Sequence, residues 1–296
     1  MTTYASLVSE VEYIMGKNSP SPLRIKTMLN NAIDVIAAGI MVPDKSGNFL
    51  SSPLPDLFTI GTVRTTMSKA YSSLPSNFQR DLQFVANTSG QEIEIYDSFK
   101  EFSQDYPLMD DVGDVSIVSK MGSNLYYQGI PTNSVTSGTT ISFTASTKTI
   151  SDSGDGLDVT AGDSILIADS TSNDGVFTIV TVAADDSSCT VSEAVVDEVA
   201  SEDITITKGE ALTVHYYKSP TAMTIDSSTP DGIPSHLQID LLTNYIAMKQ
   251  YGVIERDAGG KKTNTMYHTN QFFNYLTIMD RSIPINAESM FLIEQD

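Results

Sequence analysis

Between Thr132 and Lys208 the chain contains no Pro, Met, Tyr, His or Arg, although its 296 residues include 12 Pro, 12 Met and 13 Tyr. A window that excludes five residue types common in its flanks follows its own folding rules. It is built from Ser, Thr, Asp, Gly, Val and Ile. By count it holds 13 acids and two lysines, a net −11 out of −20 for the whole chain. Short alternating runs recur in it: Ile141-Ser-Phe-Thr-Ala, Ser164-Ile-Leu-Ile, Val176-Phe-Thr-Ile-Val-Thr-Val, Cys189-Thr-Val-Ser and Ile204-Thr-Ile-Thr. Closely spaced short strands with polar turns predict a small all-β barrel or sandwich. The boundaries that follow are an inserted domain at 132–208 and a discontinuous host at 1–131 and 209–296.

The flanks of the window resemble each other. Leu125-Tyr-Tyr-Gln-Gly-Ile-Pro131 precedes it, and Ala211-Leu-Thr-Val-His-Tyr-Tyr-Lys-Ser-Pro220 follows it. Both are aromatic and alternating, and together they predict two arms of one hairpin whose tip a domain has replaced. A hairpin tip accepts an insertion because its ends are already close together.

The host predicts an α+β fold: a helical domain with a β core and long antiparallel C-terminal helices. Tyr4 to Met15 and Leu23 to Ala38 carry apolar residues at helical spacing. Strands are expected near Thr62 to Tyr71, Leu82 to Ala86, Glu92 to Tyr96 and Val115 to Ser119, with a short helix from Asp97 through Phe102. Ser235 to Glu255 and Asn264 to Met279 read as the closing helices. No apolar run approaches the length needed to cross a bilayer, and the N-terminus lacks the basic and apolar regions of a signal peptide.

Chemistry-bearing residues do not assemble into a catalytic, cofactor or metal site. Asp169-Ser-Thr-Ser-Asn-Asp-Gly175 looks like a calcium loop until its register is tested. If Asp169 opens the loop, Asp174 occupies the glycine position. If Ser170 opens it, Thr181 stands where the bidentate Glu belongs. Strand-like runs flank the stretch, so Asn-Asp-Gly predicts a hairpin turn. Gly259-Gly-Lys-Lys-Thr263 follows a helix where a phosphate loop requires a strand. His215, His236 and His268 have no His or Cys at ligand-like spacing. Cys189 lies in a strand-like run, Ser188 to Ser192, and reads as a buried spectator. Asp110-Asp111-Val-Gly-Asp114 reads as a solvated loop. Glu92 and Glu94 share a strand face that would suit a glycosidase pair, although solvent-facing carboxylates are the commoner case. With 37 acids against 17 bases, the chain is not suited to grip nucleic acid through its phosphates.

Four phrases carry a family resemblance: Leu74-Pro-Ser-Asn-Phe-Gln-Arg-Asp-Leu82, Tyr126-Tyr-Gln-Gly-Ile-Pro131, Leu212-Thr-Val-His-Tyr-Tyr-Lys-Ser-Pro220 and Pro230-Asp-Gly-Ile-Pro-Ser-His-Leu237. On them the host resembles the head-to-tail adaptor (connector, head-completion) proteins of tailed bacteriophages. The window is similar to a small β domain of phage virion proteins, on Gly162-Asp-Ser-Ile-Leu-Ile167 and Asn173-Asp-Gly-Val-Phe-Thr-Ile-Val180. The resemblance implies a structural, non-enzymatic virion protein at the head–tail junction, made in the host cytoplasm. It implies a homo-oligomeric, dodecameric ring that joins the portal protein to tail proteins and lets genomic DNA pass through its lumen without tight binding, with no membrane partner. The alternative, to which the β domain points, is a tail, fibre-docking or receptor-binding virion protein. The C-terminal segment carries Ile283, Ile285, Met290, Phe291, Leu292 and Ile293 in a short stretch that Pro284 keeps from simply continuing the preceding helix. A free tail would be polar, so these six are the expected contact with the portal or a neighbouring copy.

Overall fold

The computed structural model describes residues 2–39, 54–107, 109, 111–256 and 262–282, with side chains through 279. Its five α-helices among the described residues are α1 (Tyr4–Met15), α2 (Pro22–Ala38), α3 (Phe99–Asp105), α4 (Gln238–Ile254) and α5 (Thr263–Ser282). The chain divides into two compact units, Met1–Thr59 with Tyr217–Asp296, and Ile60–Tyr216.

The first unit is the helical one. Thr3 and Ser6 form a reciprocal capping box that opens α1, and Pro22 stands in the first turn of α2, where its missing N–H costs nothing. Leu7, Val11, Ile25, Leu29, Ile33 and Ile36 face Leu241, Leu242 and Ile246 of α4 in one core. Helix α5 packs on α4 through Phe272, Leu276 and Met279. The Glu255 carboxylate, just past α4, accepts the backbone N–H of Asn264 at 3.2 Å and of Thr265 at 3.0 Å, so the end of one helix caps the start of the next.

The second unit holds most of the β structure and corrects the fold class. The protein is mainly β, with three sheets of three, four and seven strands among the described residues. The α+β expectation of a helical domain closed by long antiparallel helices does not hold: α4 and α5 have 17 and 20 residues. The reason is non-local pairing. Strand β1 (Phe58–Arg64) lies beside β14 (Ala211–Lys218), which also pairs with β3 (Phe78–Ala86). Partners so far apart in sequence leave no local periodic signal.

The four-stranded sheet has the order β2 (Tyr71–Ser73), β6 (Asn124–Tyr127), β5 (Ile117–Met121), β4 (Glu94–Tyr96), with β4 and β5 parallel. Tyr127 is fully buried between the sheets' contributions to one core with Val63, Leu125, Leu212 and Val214. Its hydroxyl accepts from the Thr66 N–H at 2.8 Å and donates to the Lys69 carbonyl at 2.7 Å. The proposed hairpin of the two aromatic flanks is therefore also corrected. Leu125 to Tyr127 belongs to this sheet and Ala211 to Lys218 to the three-stranded one. The turn at Gly122 and Ser123 folds β6 back onto β5, which leaves β14 free to sit between β1 and β3.

The seven-stranded sheet lies wholly between Asn133 and Lys208. Its order is β7 (Asn133–Gly138), β13 (Ile204–Lys208), β10 (Ser164–Ala168), β11 (Gly175–Val182), β12 (Ser188–Val191), β9 (Thr149–Asp152), β8 (Ile141–Thr144). Strands β7 and β8 are at opposite edges, yet only Thr139 and Thr140 separate them in sequence, so the sheet must roll until its edges meet. A register shift between Ile179 and Thr181 bends β11 at mid-sheet. Asp152 of β9 closes the seam: its carboxylate accepts from Thr136 Oγ1 of β7 at 3.0 Å, from Thr140 Oγ1 at 2.6 Å and from the Gly154 N–H at 2.8 Å. Inside lie Ile141, Phe143, Ile150, Ile167, Phe177, Ile179, Cys189 and Ile206. The chain enters and leaves on paired residues, Asn133 opposite Lys208.

Candidate functional sites and the exposed face of the last helix

Asp169 to Gly175 connects β10 to β11, which pair antiparallel from Ser164 opposite Thr178 to Ile167 opposite Gly175. The hairpin is present, but its geometry differs from a turn centred on Asn-Asp-Gly. Positive φ falls on Asp169 (67°) and Gly175 (144°), at the two ends of a longer loop. Glu198 organises that loop. Its carboxylate accepts from Ser170 Oγ at 2.8 Å, the Thr171 N–H at 3.0 Å, the Ser172 N–H at 3.3 Å and Asn173 Nδ2 at 2.8 Å. Burial pushes this carboxyl up, and the four donors more than offset it, so it stays below the usual range. Oxygens that face inward onto N–H and O–H groups are structural acceptors. Sequence spacing missed Glu198 because it lies far along the chain from the loop it holds.

The other singled-out residues are dispersed. Glu92 and Glu94 are both exposed. His215 of β14 has its ring 5.0 Å from that of Phe84 of β3, His236 stands in the turn before α4, and His268 stacks on Tyr251 and meets Asn244 Oδ1 at 2.8 Å through Nδ1. Gly259, Gly260, Lys261 and Asp110 lie outside the described residues. So do Ile283, Ile285, Met290, Phe291, Leu292 and Ile293. Cys189 is buried in the rolled sheet, and burial pushes its thiol up to about 11. A thiol so protonated is a poor nucleophile. Native protein is expected to react with a disulfide reagent at pH 8 at least about a hundredfold more slowly than protein in denaturant. Equal rates would place Cys189 at an accessible surface.

A polar cleft of about 420 Å³ opens at the base of the rolled sheet, lined by Arg64, Asp158, Asp163, Lys208 and Glu210 among others. Its cations are already engaged. Arg64 pairs with Asp163, and Lys208 Nζ reaches Asp158 Oδ2 at 2.9 Å. Asp163 also accepts the Thr160 N–H at 2.7 Å, and the Met67 N–H reaches Ser164 Oγ at 3.3 Å. At Gly209 a Cβ would stand 2.6 Å from the Thr65 carbonyl oxygen, so only glycine fits where the chain leaves the module. Cations neutralised by their own carboxylates make this cleft a fastening between the rolled sheet and β1.

Helix α5 presents a different kind of surface. Its packed side faces α4, and its outer side exposes Met266 (64%), Tyr267 (57%) and Ile278 (49%) together with Asn270 and Asn274. The first charged residue in the helix is Asp280, in a chain whose charged fraction is 18%. The contact residues expected from the sequence lie beyond Ser282 and do not include this helix. The absence of charge from Thr263 to Met279 was the available signal. No protein-family model matches the chain, and no curated protein matches it.

Proposed function

We propose that this chain is a structural virion protein, a head-to-tail adaptor of tailed bacteriophages that forms a dodecameric ring between portal and tail proteins. One observation carries most of the support: two of the phrases behind the resemblance act as one structural unit. Asn77 accepts a hydrogen bond from the Tyr216 hydroxyl at 2.6 Å, and the Phe78 and Tyr216 rings lie 5.3 Å apart. At Gly61 a Cβ would come within 3.0 Å of the Tyr216 ring. The phrases thus describe a built core junction rather than solvent decoration. The charge of −20 is compatible with a lumen past which duplex DNA slides without being held. In this reading the chain has no catalytic role, and Ile283, Ile285, Met290, Phe291, Leu292 and Ile293 contact the portal or a neighbouring copy.

Electron microscopy of the purified protein tests the reading by counting subunits. Closed rings of one high rotational order are expected, with no submicromolar, salt-sensitive affinity for duplex DNA in a gel-shift titration. Truncation after Ser282 is expected to leave the fold intact and abolish joining to ring or portal. A trimer would favour a tail or fibre-docking protein instead. Tight DNA binding would exclude the sliding lumen.

A further inference from the structure

We propose that the cleft beside Tyr71 and Tyr126 binds an acidic saccharide, a sugar ring that carries a carboxylate. The cleft has a volume of about 540 Å³ and is lined by Ser68, Lys69, Tyr71, Tyr126 and Ile130 among others. Tyr71 of β2 lies directly opposite Tyr126 of β6, so both rings stand on one face of the sheet, with centroids 5.3 Å apart. The ring of Phe99, on α3, supports that of Tyr126 at 4.6 Å. The Lys69 ammonium stands 5.6 Å from the centre of the Tyr71 ring. The site is built before any ligand arrives. Ser68 and Lys69 stand on a turn that Tyr127 holds from inside. Its hydroxyl accepts from the Thr66 N–H and donates to the Lys69 carbonyl, and its own N–H reaches the Ala70 carbonyl at 3.0 Å. A turn so fixed loses little freedom when a ligand binds.

Three properties of the cleft select the ligand. The phenol rings offer an apolar surface, which the C–H face of a sugar covers while its hydroxyls stay free to bond. Phenol and serine hydroxyls both donate and accept, as sugar hydroxyls do. Among the described residues the hydroxyls of Ser68, Tyr71 and Tyr126 have no hydrogen-bond partner and Lys69 has no ion pair, whereas Arg64 and Lys208 are each taken by a carboxylate. Lys69 is also the one charge in the described lining, and the −20 of the chain turns anions away elsewhere. An apolar ligand would leave the hydroxyls unpaired, and a nucleic acid requires several cations where the cleft has one. A uronate ring satisfies all three: its C–H face meets the phenols, its hydroxyls meet Ser68 and the phenol oxygens, and its carboxylate meets Lys69.

The proposal goes beyond the ring reading and does not rest on it, since subunits are counted without saccharide and saccharide binding is measured whatever the assembly. The test is an NMR saturation-transfer titration of the full chain with trigalacturonate, with its neutral methyl ester and with triglutamate, repeated on Lys69→Gln and Tyr71→Thr. Both side chains are exposed and Thr suits a strand, so both variants should melt as the parent does. Expected is a Kd for trigalacturonate of about 1 mM or below, and binding at least about tenfold weaker for the ester and for triglutamate. Lys69→Gln should weaken trigalacturonate about tenfold and erase its advantage over the ester, while Tyr71→Thr should weaken both saccharides alike. No binding of trigalacturonate by about 10 mM overturns the proposal. Ester bound as tightly as acid by the parent overturns it too. Triglutamate bound as tightly as the saccharide overturns it in favour of an acidic peptide. Binding that neither variant weakens overturns it as well, because the saccharide then sits elsewhere. If Tyr71→Thr loses its fold, Lys69→Gln decides alone, since it removes an ammonium whose one contact among the described residues is a ring.

Discussion

Replacing Asp152 with alanine is expected to destabilise the rolled sheet by about 3–5 kcal/mol, because charge-assisted hydrogen bonds contribute about 1.5–3 kcal/mol each and several are lost together, non-additively. The residue is 3% exposed and ties β9 to the edge strand β7 and to the turn that joins the two edge strands. Its removal strands the Gly154 N–H and the hydroxyls of Thr136 and Thr140. Cys189, inside the same sheet, provides the readout, since its labelling rate follows the opening of that core. Labelling should accelerate by at least about a hundredfold, the equivalent of 2.7 kcal/mol or more. A change of less than about threefold would show that the seam holds without Asp152. The pH dependence has a definite sign. Burial raises the carboxyl, and the donors from Thr140, Gly154 and Thr136 outweigh it, so the folded value lies below the ordinary one. The unfolded chain therefore binds the proton first. The stabilisation is complete above about pH 4, the unfolded value, and drains away as pH falls through the lower folded value. Asp152→Asn keeps an oxygen for Thr140 and Gly154 and can donate to Thr136, so it should cost less and remove this acid sensitivity.

Excision of residues 132–208, with an Asn-Gly turn in their place, is expected to leave a cooperatively folding remainder. The excised segment has its own core, and Asn133 and Lys208, just inside the two cuts, are strand partners about 5 Å apart, so the chain leaves the module close to where it enters. Net charge falls from −20 to −9, since −20 less −11 is −9. The contacts given up are polar and include Arg64 with Asp163, the buried Met67 N–H with Ser164 Oγ, and the Gly209 N–H with the Ser164 carbonyl. Arg64 returns to water without penalty. The check is a thermal melt by circular dichroism on soluble protein. A broad, uncooperative melt, or no soluble protein, would mean that the rolled sheet and the sheets around Tyr127 fold only as one body.

What could be read in advance followed the range of the interaction. Helices α1 and α2 were legible to within a residue or so, because Leu7, Val11, Ile25 and Ile33 recur at a spacing that a helix turns onto one side. The hairpin of β10 and β11 was legible for the same reason. The pairing of β14 was not. Its alternation matches that of Leu125 to Tyr127, and nothing local says that Ala211 to Lys218 sits beside Phe58 to Arg64. The acceptors that hold loops, Glu198 and Asp152, were invisible too. Among 37 acids in the chain, only the folded geometry distinguishes the few with inward-facing oxygens. The charge-free stretch of α5 was in plain view. Helix spacing marks the residues that pack on α4, and it carries no mark for those that do not.

The placement of β14 sets the order in which a growing chain can finish. A ribosome releases β1 and β3 early, and both must wait for their shared central neighbour, which comes only after the whole of Asn133 to Lys208 has been made. Within that stretch β7 waits in turn for β13. The helices α1 and α2 wait longest, since α4 is made last of the three. The segments nest like brackets, and each pair closes only after the pair inside it is complete. During synthesis the unpaired edges of β1 and β3 are open to other chains. Many copies made at once on neighbouring ribosomes would meet while those edges are unfilled, so the interval before Ala211 emerges is when this protein is most exposed to mispairing with its own kind.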